Sequence, residues 1–197
     1  MSPFPELRTH RLLLRDWRAT DREPFALLNA DPAVVAHLQG ALTREESDAF
    51  VDRIETQWRD HGWGLWAVEV PGSAPFIGYV GLWPAPFLDR DPPIEIGWRL
   101  ASDQWGRGYA TEASRVALDF AFRELGLGRV HSFTVPQNER SWRVMERIGM
   151  SRVPDGDFDH PRVNPERYPH LVRHVLYEIT RADWEGQASP SSANAAP

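Results

Sequence analysis

Gln104-Trp105-Gly106-Arg107-Gly108-Tyr109-Ala110-Thr111-Glu112-Ala113 is the stretch on which the reading of the fold turns. An apolar run ending near Leu100 precedes it, and a helical pattern from about Gly108 to Glu124 follows. Two glycines therefore sit where a strand becomes a helix. A helix start carries unpaired N–H groups and the positive end of the helix dipole, so it receives anions. Gly106 and Gly108 let the backbone come close to a phosphate that a Cβ would obstruct, and Arg107 adds a fixed positive charge. The expectation is a phosphate or pyrophosphate site. On spacing alone, a plain two-glycine turn with nothing bound stays open. A Rossmann fingerprint fails because Thr111 stands where the third glycine belongs, and a Walker loop fails for want of a lysine.

Outward from this loop the chain alternates strands and helices. Arg11 to Trp17 reads as a first strand, and Thr20 or Asp21 caps a helix that ends at Asn29. Thr43-Arg44-Glu45-Glu46 has the form of a capping box. The helix it opens places Phe50, Ile54 and Trp58 on one face. Leu65–Val70 and Phe76–Leu82 flank the turn Pro71-Gly72-Ser73 as a hairpin, and Ile94–Leu100 is the next strand. Arg129–Val135 is a strand, Asn138–Ile148 a helix, Pro154–Pro169 a polar loop and Arg173–Thr180 a last strand. The class is α/β with a mixed central sheet. Residues 1–185 read as a single domain and 186–197, rich in alanine, serine and proline, as a disordered tail.

Composition removes several chemistries. The chain has 197 residues with 42% hydrophobic and 25% charged, ordinary for a soluble globular protein. No apolar run reaches the ~20 residues of a membrane helix, and the start lacks the pattern of a secretory signal, so a cytoplasmic protein is expected. There is no cysteine, hence no disulfide and no thiol nucleophile. All 22 basic side chains are arginine, which excludes a catalytic lysine. A net charge of −6 argues against nucleic acid and suits a cationic or amine partner.

Trp105 to Ala110, with Thr111-Glu112-Ala113 after it, resembles the cofactor loop of the GNAT superfamily of N-acetyltransferases, in the form usual for the RimJ/RimL-type group. Glu95-Ile96-Gly97-Trp98 before the loop, Asn138-x-x-Ser141 after it, Arg147-Ile148-Gly149-Met150 and the opening Thr9-His10-Arg11-Leu12-Leu13-Leu14-Arg15 extend the likeness over about residues 7 to 181. The likeness implies a sheet of about seven strands with flanking helices, splayed at strands 4 and 5, here Ile94–Leu100 and Arg129–Val135. It also implies acetyl-CoA as co-substrate, no metal, and direct transfer to an amine, either a protein N-terminus or a small molecule, by a monomer or homodimer. The pyrophosphate falls to the backbone of Trp105, Gly106, Arg107, Gly108, Tyr109, Ala110 and Thr111. Trp98, Arg99 and Leu100 would pair with the pantetheine arm, and Asn138 would contact the cofactor. The first position of the motif is Trp105, not the usual glutamine or arginine, so no side-chain role carries over there.

Glu95 is the lone acid in an apolar strand and the candidate general base, with Gly97 expected to bulge or splay the strand beside it. Ser141 is a candidate proton donor to the leaving thiolate. Asn138 is equally an ordinary helix cap. His170-x-x-x-His174 with Glu178 has metal-like spacing, but a strand from Val172 to Thr180 would separate the side chains. Trp63, Trp66 and Trp83 read as core or as an acceptor pocket. A non-catalytic module that only binds the acyl-CoA is the alternative to an enzyme.

Overall fold

The computed structural model describes residues 4–188. Nine strands form one sheet: β1 (Leu7–Arg8), β2 (Leu13–Arg15), β3 (Leu65–Val70), β4 (Ala74–Pro84), β5 (Ile94–Leu100), β6 (Arg129–Thr134), β7 (Ser151–Arg152), β8 (Phe158–Asp159) and β9 (Arg173–Thr180). Six α-helices accompany them among the described residues: α1 (Arg22–Ala30), α2 (Pro32–Val35), α3 (Arg44–His61), α4 (Tyr109–Arg123), α5 (Glu139–Arg147) and α6 (Arg181–Ala188). The order is β1-β2-β3-β4-β5-β6-β9-β7, with β8 pairing β9 off that path. All neighbours are antiparallel except β5 and β6. Those two are parallel and pair in register only at Glu95 and His131.

Two layers of helices cover the sheet. Alternation along the strands puts Trp66, Val80 and Trp98 on one face, where Trp66 meets Phe120 of α4 edge-on at 5.2 Å. Ala113, Ala117 and Ala121 are fully buried at four-residue spacing, so α4 lies close on that face. Tyr79, Trp83, Glu95 and Arg99 share the opposite face. There Phe25 and Phe50 pack on Tyr79 at 6.0 and 5.9 Å, and Phe50 on Trp83 at 6.1 Å. The capping box holds as drawn from sequence: the Glu46 N–H donates to Thr43 Oγ1 and the Thr43 N–H to Glu46.

Four expectations change. Trp66 is wholly buried on the α4 face, with its indole N–H on the Pro5 carbonyl, so it is core and not an acceptor wall. Gly97 lies in regular register opposite Gly81, so of the bulge or splay expected there only the splay from β6 is present, and the bulge falls between Val68 and Val70 instead. The loop from Pro154 to Pro169 contains the short strand β8. The tail expected at 186–197 overlaps α6, which runs to Ala188, and its remainder lies outside the described residues.

One buried ion cluster ties β2 to the start of α1. Arg15, 1% exposed, donates to both carboxylate oxygens of Asp21 at 2.7 and 2.9 Å and to Glu69 at 2.7 Å, and also to the Pro75 carbonyl. Removing the guanidinium strands the Asp21 carboxylate, itself buried. Loss of one partner of a buried pair typically costs about 3–5 kcal/mol. Arg15→Ala should lower unfolding stability by about that amount, measured by urea titration, whereas Arg8→Ala on the exposed pair with Glu6 should change it by less than about 1 kcal/mol.

Candidate active site

The glycine loop is held from behind by the first strands. Glu112, in the first turn of α4, accepts from Thr9 Oγ1, from the Arg11 backbone N–H and from Arg11 Nε. Arg11 also donates to the Arg107 carbonyl at 2.9 Å and stacks over the Tyr109 ring at 4.8 Å. Gly106 and Gly108 have φ of 75° and 80°, the left-handed region open at low cost to glycine. That backbone need is a second reason for both glycines, beside the close approach read from sequence.

Gly108 is the N-cap of α4 and offers no side chain, so the first N–H groups of this helix stay uncapped. By contrast, Thr43 caps α3 and Asn138 caps α5 with side-chain oxygens. An uncapped helix start preceded by two left-handed glycines, with the exposed Arg107 between them, fits an anionic group such as a pyrophosphate. Tyr109 turns its ring into the core, leaving its backbone for any such contact. Ala110 and Thr111 are half-buried in the same turn. Trp105 donates its indole N–H to the Leu100 carbonyl at 2.8 Å, and Arg140 stacks on its other side at 4.5 Å.

Beyond Glu95 and His131 the parallel strands part, and the edge of β5 from Gly97 to Leu100 has no registered partner on β6. Ser132 Oγ bridges the junction to the Ile96 carbonyl at 2.9 Å. The opening therefore arises on the β6 side, not from a kink at Gly97. Trp98, Arg99 and Leu100 line this edge with their backbones. The Arg99 side chain turns to the other face and donates to Asn29 Oδ1 at 2.6 Å. Across the opening, Asn138 is occupied as a cap: its Oδ1 accepts from the Ser141 N–H at 3.4 Å and its Nδ2 donates to Thr134 Oγ1 at 3.0 Å. The half-buried Ser141 hydroxyl has no hydrogen-bond partner among the described residues.

Glu95 sits at the near end of this opening, on the face that carries Trp83. Its half-buried carboxyl makes no hydrogen bond or ion pair among the described residues. Burial pushes it up to about 8, against the pull of Arg162, whose guanidinium lies over the Phe87 ring at 5.1 Å. The loop bearing Arg162 is tied to the turn between α2 and α3: Gln39 Nε2 donates to the Arg162 carbonyl at 2.9 Å, and the Asn164 N–H donates to Gln39 Oε1 at 3.1 Å. Under it lies a cluster that the sequence did not announce. Phe133 packs on Phe87, Phe158, His160 and His174, with centroids at 5.5 to 5.8 Å. His170 stays exposed in a 3₁₀ turn while His174 is buried on β9, so that spacing builds no metal site.

The acetyltransferase (GNAT) domain family matches residues 11–151. The chain belongs to the GNAT superfamily of acetyltransferases. It is 32% identical over 151 residues to the Bacillus subtilis protein YkkB, covering 76% of this chain and 87% of that one. The FsC-acetyl coenzyme A-N(2)-transacetylase of Aspergillus fumigatus is 30% identical over 203 residues, 95% of this chain and 81% of that one. Among solved structures, an acetyltransferase from Agrobacterium tumefaciens superposes with a TM-score of 0.74 at 29% identity, covering 92% of this chain and 97% of its own. The chain is an N-acetyltransferase, and no described helix is long and apolar enough to cross a membrane.

The histidine cluster gives this acetyltransferase an acid limit. Burial first, then His174 and Arg162, push His160 down to about 4, and burial lowers His174. Both histidines titrate below the unfolded value of about 6.5, so protons bind the unfolded chain first. Stability should be complete above that value and fall as pH drops from about 6.5 toward 4. Urea midpoints at pH 7 and pH 5 measure this, and His160→Gln should flatten the difference.

Proposed function

We propose that the enzyme binds acetyl-CoA in the opening between β5 and β6 and transfers the acetyl group directly to a primary amine, with Glu95 as general base. The donor supplies an activated thioester. Its pyrophosphate is assigned to the backbone from Trp105 to Thr111 with Arg107, and its arm to the backbone of Trp98, Arg99 and Leu100. Asn138 contacts it beside its capping role, and the free Ser141 hydroxyl gives a proton to the leaving sulfur. The acceptor enters over Trp83 and Glu95, between the early helices and the loop from Pro154 to Pro169. A cytoplasmic setting, and a monomer or homodimer, belong to the same proposal.

One observation carries the reading: a desolvated, unpartnered carboxyl held near 8 where the sheet opens. A base is most effective when its pKa lies near that of the proton it removes. An α-amine, at about 7.7–8.0, matches Glu95, whereas a lysine-type amine near 10.4 lies more than two units, about 3 kcal/mol, uphill. The match favours an α-amine or another amine of lowered pKa, from a protein N-terminus or a small molecule.

Thiol release from acetyl-CoA across a panel of N-terminal peptides and small amines tests the assignment. No release with any amine would leave a cofactor-binding module. Glu95→Gln should lower kcat by about 10²-fold or more at neutral pH, with acetyl-CoA affinity unchanged by calorimetry. In the wild type, kcat/KM should rise with pH to a plateau above about 8 as Glu95 ionises. Arg162→Ala should move that limb to higher pH, since Arg162 holds the value down. Gly108→Val should abolish acetyl-CoA binding in a protein that still folds, and unchanged affinity would remove the loop from the cofactor site.

A further inference from the structure

Glu95, His131 and Glu178 stand in one row across three strands. Glu95 is the register partner of His131 between β5 and β6, and His131 is the partner of Glu178 between β6 and β9. Register partners project from the same face, and neighbouring strands lie about 4.8 Å apart, so the row crosses the sheet in about 10 Å. His131 is wholly buried, and neither ring nitrogen makes a hydrogen bond among the described residues. Its Nε2 lies 3.3 Å from Glu178 Oε2, within ion-pair reach but off a hydrogen-bonding line. Buried imidazoles are ordinarily satisfied, so this one calls for an explanation. Glu178 is the end that reaches water: its side chain is 22% exposed and is paired with Arg129 at 3.2 Å.

We propose that this row is the exit path for the proton that the acceptor amine surrenders, from Glu95 through His131 to Glu178 and solvent. The inference rests on Glu95 being the base. An ammonium acceptor and acetyl-CoA give an amide, the free thiol of CoA and one proton; the C–S bond breaks and the C–N bond forms. Of the two protons the nitrogen loses, one replaces the proton that Ser141 gives to sulfur and one ends on Glu95. His131 accepts the second on one ring nitrogen and gives a proton from the other to Glu178, which releases it to water. An imidazole suits this because each nitrogen serves as donor or acceptor. Burial foremost, then Arg90 and Arg129, hold His131 neutral against Glu178, so the ring passes the proton on in one concerted step, taking it on one nitrogen as it gives from the other, and never rests as an imidazolium. Arg162 faces Glu95 from the loop, and Tyr79 and Arg99 face it from the sheet.

Rates make the path matter. A proton on a group titrating near 8 leaves directly to water at roughly 10² s⁻¹, taking about 10¹⁰ M⁻¹s⁻¹ for the reverse encounter. Enzyme turnover spans about 1–10³ s⁻¹, so unaided exit can limit it.

His131 acts on the acceptor only through Glu95, so the test separates the first turnover from the steady state. The probes are acetyl-CoA with an alanyl peptide or with spermidine, whichever the wild type turns over. His131→Gln should lower steady-state kcat about tenfold at unchanged KM. Its single-turnover rate, with acetyl-CoA preloaded, should stay within about twofold of wild type. Added imidazole buffer should restore kcat, since it supplies the missing carrier. Glu178→Gln should show the same split and decides the matter if His131→Gln does not fold. The proposal is overturned if kcat in both variants stays within about twofold of wild type. It is equally overturned if the single-turnover rate falls in step with kcat. Glu95→Gln should slow both phases. A wild type that acetylates neither amine counts against the proposed function, not against the row.

Discussion

Two adjacent parallel strands that pair once and then separate are the constraint around which this molecule is organised. Parted strands expose backbone N–H and C=O groups that ordinarily must be satisfied inside a protein. Here the parting is pinned at its closed end by Glu95 opposite His131 and by the Ser132 hydroxyl on the Ile96 carbonyl. At its open end the Trp105 indole takes up the Leu100 carbonyl. Between those limits a length of β5 edge stays available, facing the start of a helix that carries no cap. A peptide edge and a helix N-terminus a few residues apart are the features on which the proposed site for one extended ligand, polar along its length and anionic at one end, rests.

Holding that arrangement falls to contacts distant in sequence. Glu112 gathers Thr9 and Arg11, and Arg11 reaches the Arg107 carbonyl, so the loop geometry is clamped by the first hairpin. The Arg15 cluster then ties the same hairpin to the start of α1, on the side where the acceptor would enter. The loop from Pro154 to Pro169 closes the other side through Gln39. Both walls of the cleft are therefore joined to elements that the sheet already fixes.

Much of this was legible in the sequence because it is written locally. The strand–glycine–helix turn, the Thr43–Glu46 capping box, the Asn138 cap and the single acid at Glu95 each show within a few neighbouring residues. What the sequence did not show depends on register between distant segments. Trp66 falls to the α4 face because of its pairing with Val80, which composition does not reveal. The cluster of Phe87, Phe133, Phe158, His160 and His174 draws on β6, β9 and two loops, and none of them carries the pattern alone. His131 meets Glu95 because β6 docks in parallel beside β5. The start of the short α6, directly after β9, is by contrast written locally, as a capping box in which the Asp183 N–H donates to Thr180 Oγ1 and the Thr180 N–H to Asp183 Oδ2. Gly97 was half legible: the sheet does splay from β6 beside it, but the bulge that a glycine in a strand signals on average is absent, because Gly97 pairs regularly with β4 and leaves open space above it.

The ion pairs that clamp the site, Arg11 with Glu112 and Arg15 with Asp21, draw their positive charge from guanidinium groups, and the chain contains no lysine. A guanidinium stays charged at every pH a cell reaches and is a poor acyl acceptor. A catalyst that acetylates amines thereby keeps its own scaffold inert to its reaction. Acetyl groups that escape the cleft find no side-chain amine on the protein surface, and the clamps keep their charge through repeated turnover. Amine-directed crosslinkers and succinimidyl labels will likewise find no side chain to react with.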